Sequence, residues 1–133
     1  MTLVIDASVA VKWVLPEDGA ERAAVLQAQS QELIAPTLIA AEIGSALRKR
    51  VAAKELSLSE ALSAARIATG LIGRLVPIQE LAERALEISI ELKHHIYDCF
   101  YLALAERENA ALVTADVDLI AKARNMKIKV RNL

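Results

Sequence analysis

The stretch "TLVIDASVAVKWVL", residues 2–15, begins with a short apolar run of β character that stops at an acid, Asp6. Such a run reads as a buried strand. Directly after it, "SVAVKWVL" (residues 8–15) can form a short helix that ends before Pro16. A strand passing at once into a helix is the first half of a βαβ unit. The rest of the chain repeats the pattern. "ELIAP" (32–36), "RLVPI" (74–78), "ALVTAD" (111–116) and "KIKVR" (127–131) are further strand candidates, the last of them an edge strand. Helices are expected over residues 19–31, 37–55, 57–72, 79–95 and 117–125, and through the apolar stretch "HHIYDCFYLALAE" (94–106). Ser57 and Glu60 form a capping box at the start of one of them. Lys93, His94 and His95 fall in the last expected turn of another, where the helix dipole favours cations.

Short apolar strands alternating with helices argue for an α/β domain. A mainly parallel central sheet of about five short strands would be covered by helices on both faces, in three layers. The length of 133 residues suits a single domain over 1–133. In such sheets ligands bind beyond the carboxyl ends of the strands.

Apolar residues make up 55% of the chain, enough for a substantial core and some apolar surface for a partner or a second copy. A net charge of −1 gives no global basic field, so nucleic-acid contact would rest on local basic clusters or bound cations. The candidate clusters are Arg48, Lys49 and Arg50, and Lys122 with Arg124; each also reads as a solvated helix face. The single cysteine, Cys99, can form no intrachain disulfide and reads as a small buried hydrophobe in a reducing, cytoplasmic setting. No signal peptide and no transmembrane run is apparent, so no membrane association is expected.

The acids carry the chemistry. Asp6 ends the first strand and Asp116 follows the fourth, so parallel pairing would bring both to one edge of the sheet. Asp98 lies in the apolar stretch, where a charge is costly unless paired or coordinated. Each Asp has a plainer explanation as a helix N-cap. Glu42 does not, because it lies well inside its helix. Its neighbours at three and four residues are Leu38, Ile39, Ser45 and Ala46, with no charged partner; a plain alternative is a Glu at the rim of the buried stripe reaching to water. Four converging carboxylates could not all stay ionised without cations. Their hard oxygens suit Mg2+ or Mn2+, which activate water and offset charge on a phosphate. Metal-assisted phosphodiester hydrolysis is the chemistry this pattern suggests.

Four segments, "VIDASVAVKWVL", "APTLIAAEIGSALRK", "YDCFYLALAE" and "LVTAD", each with its acid, resemble in order the motifs of PIN-domain ribonucleases. More narrowly, they resemble the VapC-type toxins of toxin–antitoxin pairs. The likeness covers nearly the whole chain. It implies a PIN-like fold and a Mg2+- or Mn2+-dependent endoribonuclease that hydrolyses RNA through metal-activated water, leaving a 5′-phosphate and a 3′-hydroxyl. Asp6, Glu42, Asp98 and Asp116 map onto the family's metal-holding acids. Ser8 and Thr114 match small polar positions beside them, which local capping or strand-end hydrogen bonding explains equally simply; Asp118 is a possible extra acid, though a first-turn helix acid favoured by the dipole is the simpler reading. The resemblance also implies a tRNA or rRNA target, a cognate antitoxin and a homodimer.

Other features weigh less. His94 and His95 read as helix-end cations, and metal-assisted hydrolysis needs neither as a base. Trp13 reads as a core or dimer contact. One Trp, two Tyr and one Phe are too few for a base-stacking platform. An aspartyl phosphatase would usually carry a second Asp where Ser8 stands, and a receiver domain would need an acid where Gln79 follows the third strand. A dinucleotide-binding glycine motif is absent. A PIN-like protein that binds a partner without cutting remains the alternative from another class.

Overall fold

A computed structural model describes residues 1–29 and 31–133. Its centre is one sheet of β1 (Thr2–Ile5), β2 (Glu32–Pro36), β3 (Arg74–Val76), β4 (Ala111–Thr114) and β5 (Val130–Asn132). The spatial order is β3-β2-β1-β4-β5, and every neighbouring pair is parallel. Among the described residues the helices are α1 (Ala7–Ala10), α2 (Ala20–Ala28), α3 (Ile39–Ala52), α4 (Leu58–Gly70), α5 (Ala82–Leu92), α6 (Ile96–Glu108) and α7 (Val117–Asn125). None of them is long and apolar enough to cross a membrane.

Successive strand side chains point to opposite faces of a sheet. Leu3, Val4 and Ile5 are nevertheless all fully buried, as are Leu112, Val113 and Thr114. Both faces are therefore covered, giving the expected three-layer α/β/α arrangement. α6 packs against β1, β2 and β4, and everything from Asp98 to Ala105 in it is buried. That accounts for a helix with no polar face.

The strand order sets the place of the site. From the central β1 the chain builds outward through β2 and β3, then crosses back to add β4 and β5 on the other side. The connections thus diverge between β1 and β4, and a crevice opens at the carboxyl ends of those two strands.

Local boundaries differ from expectation where the backbone chemistry intervenes. The first helix starts at Ala7 and tightens into a 3-10 turn over Val11–Trp13. The third strand pairs only to Val76, because Pro77 has no N–H to give to a ladder. The last strand begins at Val130 rather than residue 127, since Lys127 adopts a left-handed φ of 61°. The helix expected over 19–31 ends at Ala28, and Ser30 lies outside the described residues. The capping box forms as expected: the Glu60 N–H donates to Ser57 Oγ at 3.1 Å and the Ser57 N–H to Glu60 Oε1 at 2.9 Å.

Core and cap differ in weight. Leu112→Ala, in a fully buried strand position, is expected to cost about 2–5 kcal/mol. Ser57→Ala is expected to cost about 1 kcal/mol. Equilibrium denaturation of the two variants measures both; equal losses would contradict a core centred on the sheet.

Candidate active site at the carboxyl edge of the sheet

Asp6 is the first residue beyond β1 and only 5% exposed. Register pairs Ile5 with Val113, so the ends of β1 and β4 lie side by side. Thr114, the last residue of β4, donates its hydroxyl to Asp6 Oδ2 at 2.5 Å. Ser8 donates to Asp6 Oδ1, also at 2.5 Å. The network continues outward. The Ala115 N–H donates to Ser8 Oγ and the Asp116 N–H to Thr114 Oγ1, both at 3.0 Å. Two hydroxyls and the backbone after β4 thus hold one buried carboxylate.

Capping and site geometry coincide for two of the acids. Asp6 caps α1 by accepting from the Val9 N–H at 3.4 Å. Asp116 caps α7, accepting from the Asp118 and Leu119 N–H groups at 2.9 and 3.4 Å. Asp118 enters this arrangement through its backbone, as a first-turn residue of α7.

The capping reading fails for Asp98. α6 begins at Ile96 with His95 as its N-cap, so Asp98 sits inside the first turn. Its Oδ2 instead lies 2.8 Å from His94 Nε2 and 3.1 Å from His95 Nε2. The reading of the two histidines as helix-end cations fails with it. α5 stops at Leu92, and Lys93 turns left-handed at φ 51°. His94 and His95 therefore lie in the turn that feeds α6, aimed at its first acid.

Glu42 is half-buried on α3, and Tyr101 of α6 donates its hydroxyl to Glu42 Oε1 at 2.6 Å. Tyr101 was not evident from sequence as a site residue, although it lies three positions beyond Asp98 and so on the same face of α6. A groove of about 260 Å3 runs past Ser8, Glu42, Ser45 and Lys49 between α1 and α3. Of the expected basic residues, Lys49 lines this groove, while Arg50 is paired to Glu17 at 2.6 Å and Glu55 at 2.9 Å. Trp13 is half-buried and donates Nε1–H to the Ala23 carbonyl at 3.0 Å, tying the first helix to α2.

The electrostatics follow from burial. Burial pushes Asp6 up to about 6 against the opposing pull of the Ser8 and Thr114 hydroxyls, and the charge of Asp98 adds to the rise. Burial also raises Glu42, again with Asp98 adding to the rise and the Tyr101 hydroxyl opposing it. The charge of Asp98 thus disfavours ionisation of both Asp6 and Glu42. Their side chains do not close into a tight ligand shell, however. Among the described residues, the trio of potential ligands whose donor atoms all lie within 4.8 Å is His94, His95 and Asp98. Asp116 joins the cluster through the Thr114 hydroxyl rather than through its carboxylate. A set of carboxylates in which Asp98 opposes the charge of buried Asp6 and half-buried Glu42 fits a hard divalent cation, which would relieve that opposition.

In the absence of divalent cations Asp6 leaves a stability signature. Its folded pKa, about 6, exceeds the unfolded value of 3.8. Its contribution is therefore complete below about pH 4 and lost as pH rises through about 6. In chelator at pH 8, Asp6→Asn is expected to be more stable than the parent, by at most about 3 kcal/mol. Thermal melts across pH check this; a parent whose stability rises from pH 4 to pH 7 relative to Asp6→Asn would contradict it.

The comparisons with known proteins agree with this architecture. A family model described as "PIN domain" matches residues 3–125. Ribonuclease VapC9 of Mycobacterium tuberculosis is 36% identical over 117 residues, covering 88% of this chain and 87% of the relative. Among solved structures, VapBC2 of Rickettsia felis bound to a promoter DNA fragment superposes with a TM-score of 0.72 at 16% identity, covering 100% of this chain and 99% of the other. A toxin–antitoxin complex from Klebsiella pneumoniae superposes with a TM-score of 0.66 at 19% identity, covering 90% of each chain. The sheet order, the acids at its carboxyl edge and these matches lead to one assignment: the chain belongs to the PIN-domain family, among relatives of the VapC ribonucleases.

Proposed function

We propose that this protein is a metal-dependent endoribonuclease, the toxin of a toxin–antitoxin pair. The observation that carries this reading is the acid cluster at the divergence of β1 and β4, in which Asp98 disfavours the charge of both Asp6 and Glu42. Asp6, Glu42, Asp98 and Asp116 would hold Mg2+ or Mn2+. When bound, such a cation activates water toward phosphorus and offsets the charge that builds on the phosphate.

The chain's own residues divide the remaining work. Ser8 and Thr114 fix the Asp6 carboxylate from both sides. Tyr101 fixes Glu42. Lys49, on the groove beside Glu42, is placed to meet a backbone phosphate of the RNA. Hydrolysis adds the water oxygen to phosphorus and breaks the bond to the 3′ oxygen, which takes up a proton. A tRNA or rRNA target follows from the family resemblance, and so does a cytoplasmic site of action.

Exposed apolar side chains support protein partners. Leu58, Leu62 and Ile67 are exposed on α4, and Leu86 and Ile90 on α5. A cognate antitoxin and a second copy of the chain are the partners we assign to such surfaces.

Purified protein incubated with total RNA tests the reading. Cleavage is expected with Mn2+, to vanish in EDTA, and to fall by at least about a hundredfold in Asp98→Asn, since removing one element of transition-state charge stabilisation costs that much. Cleavage that survives both EDTA and the substitution would sink the proposal.

A further inference from the structure

The turn between α5 and α6 carries a second set of potential ligands, different in kind from the acids. His94 Nε2 and His95 Nε2 converge on one oxygen, Asp98 Oδ2, at 2.8 and 3.1 Å. The two rings lie 4.3 Å apart, centre to centre, tilted by 33°. All three donor atoms fall within 4.8 Å of one another. A cation placed among them would meet two imidazole nitrogens and one carboxylate oxygen.

The turn that presents them is held in place. The Ser89 hydroxyl donates to the His94 carbonyl at 2.6 Å, and the His94 N–H donates to the Ser89 carbonyl at 3.2 Å. The His94 side chain is 7% exposed and that of Asp98 is 12%. The His95 side chain, at 62%, leaves the site open to solvent. Side chains held by packing and backbone bonds lose little entropy on binding a metal.

Donor chemistry selects the ion. Mg2+ prefers oxygen ligands and sheds water reluctantly. Two imidazoles with one carboxylate, and an open position for water, suit Zn2+ and similar borderline cations. We propose that His94, His95 and Asp98 form a Zn2+ site that takes Asp98 away from the acid cluster and so inhibits RNA cleavage. Binding needs only these three side chains; inhibition rests on the reading of Asp98 as a nuclease acid.

The test begins with binding alone. Zn2+ is titrated into the protein in competition with a chromophoric zinc chelator, with Mg2+ in excess. The parent is expected to take up one Zn2+ per chain at this site. His95→Ala, a change at an exposed side chain, and the double variant His94→Ala/His95→Ala are expected to bind at least about tenfold more weakly, since loss of even an outer partner of a metal ligand costs that much. Glu42→Gln, which leaves the trio intact, is expected to bind as the parent does. Undiminished binding by His95→Ala, or a loss in Glu42→Gln as large as in the histidine variants, overturns the site. The ratio of RNA cleavage with and without Zn2+, at constant Mn2+, then reads the inhibition: it should fall in the parent and stay nearer one in His95→Ala. Equal inhibition of both overturns the regulatory role. A protein that binds Zn2+ through His95 yet cuts no RNA under any condition keeps the site and removes only the nuclease reading.

Discussion

A carboxylate held out of water at the end of the central strand organises this molecule. Asp6 closes β1, caps α1, and accepts hydroxyl bonds from Ser8 and from Thr114 at the end of β4. Those bonds link the two strands at the point where the connections of the sheet diverge. The neighbouring elements inherit their placement from this joint: Asp116 through the Thr114 hydroxyl, and the start of α7 through Asp116. The joint is also under electrostatic stress, because burial and the nearby charge of Asp98 both oppose ionisation of Asp6. A carboxylate held this way gives up stability for position, a trade common at functional sites.

The acids reach the cluster by different routes, and the routes explain their partners. Asp6 and Asp116 arrive at strand ends, where backbone N–H groups and hydroxyls are at hand. Glu42 and Asp98 arrive in the first turns of helices, Glu42 nearer the start of α3 than its sequence suggests, and neither carboxylate caps its helix. Each therefore takes a side-chain partner: Tyr101 for Glu42, and the two histidines for Asp98. α6 supplies both Asp98 and Tyr101 and is buried from Asp98 to Ala105, so the fully apolar helix is a rigid mount for two polar groups.

Much of this was legible in the residues. Five short β-prone runs between helical segments gave the layered parallel sheet, because strand and helix periodicities are local properties. The Ser57–Glu60 capping box was legible for the same reason. So was the common edge of Asp6 and Asp116, given parallel strands. The placement of Asp98 was not. Its role depends on where α6 begins, and that depends on one left-handed residue, Lys93, which carries no glycine to announce it. A helix read through His95 leaves the histidines as end charges; a helix broken at Leu92 points them at Asp98. The Tyr101–Glu42 bond joins residues 59 apart in sequence, and only the packing of α6 near α3 reveals it.

The most direct measurement is a crystal structure of the protein grown or soaked with Mn2+, read by anomalous scattering. A strong peak is expected at the carboxyl edge of β1 and β4, within ligand distance of the Asp6 carboxylate and at least one of Glu42, Asp98 and Asp116. A fully ordered cluster with no peak, or Mn2+ found only at surface carboxylates away from Asp6, would contradict it.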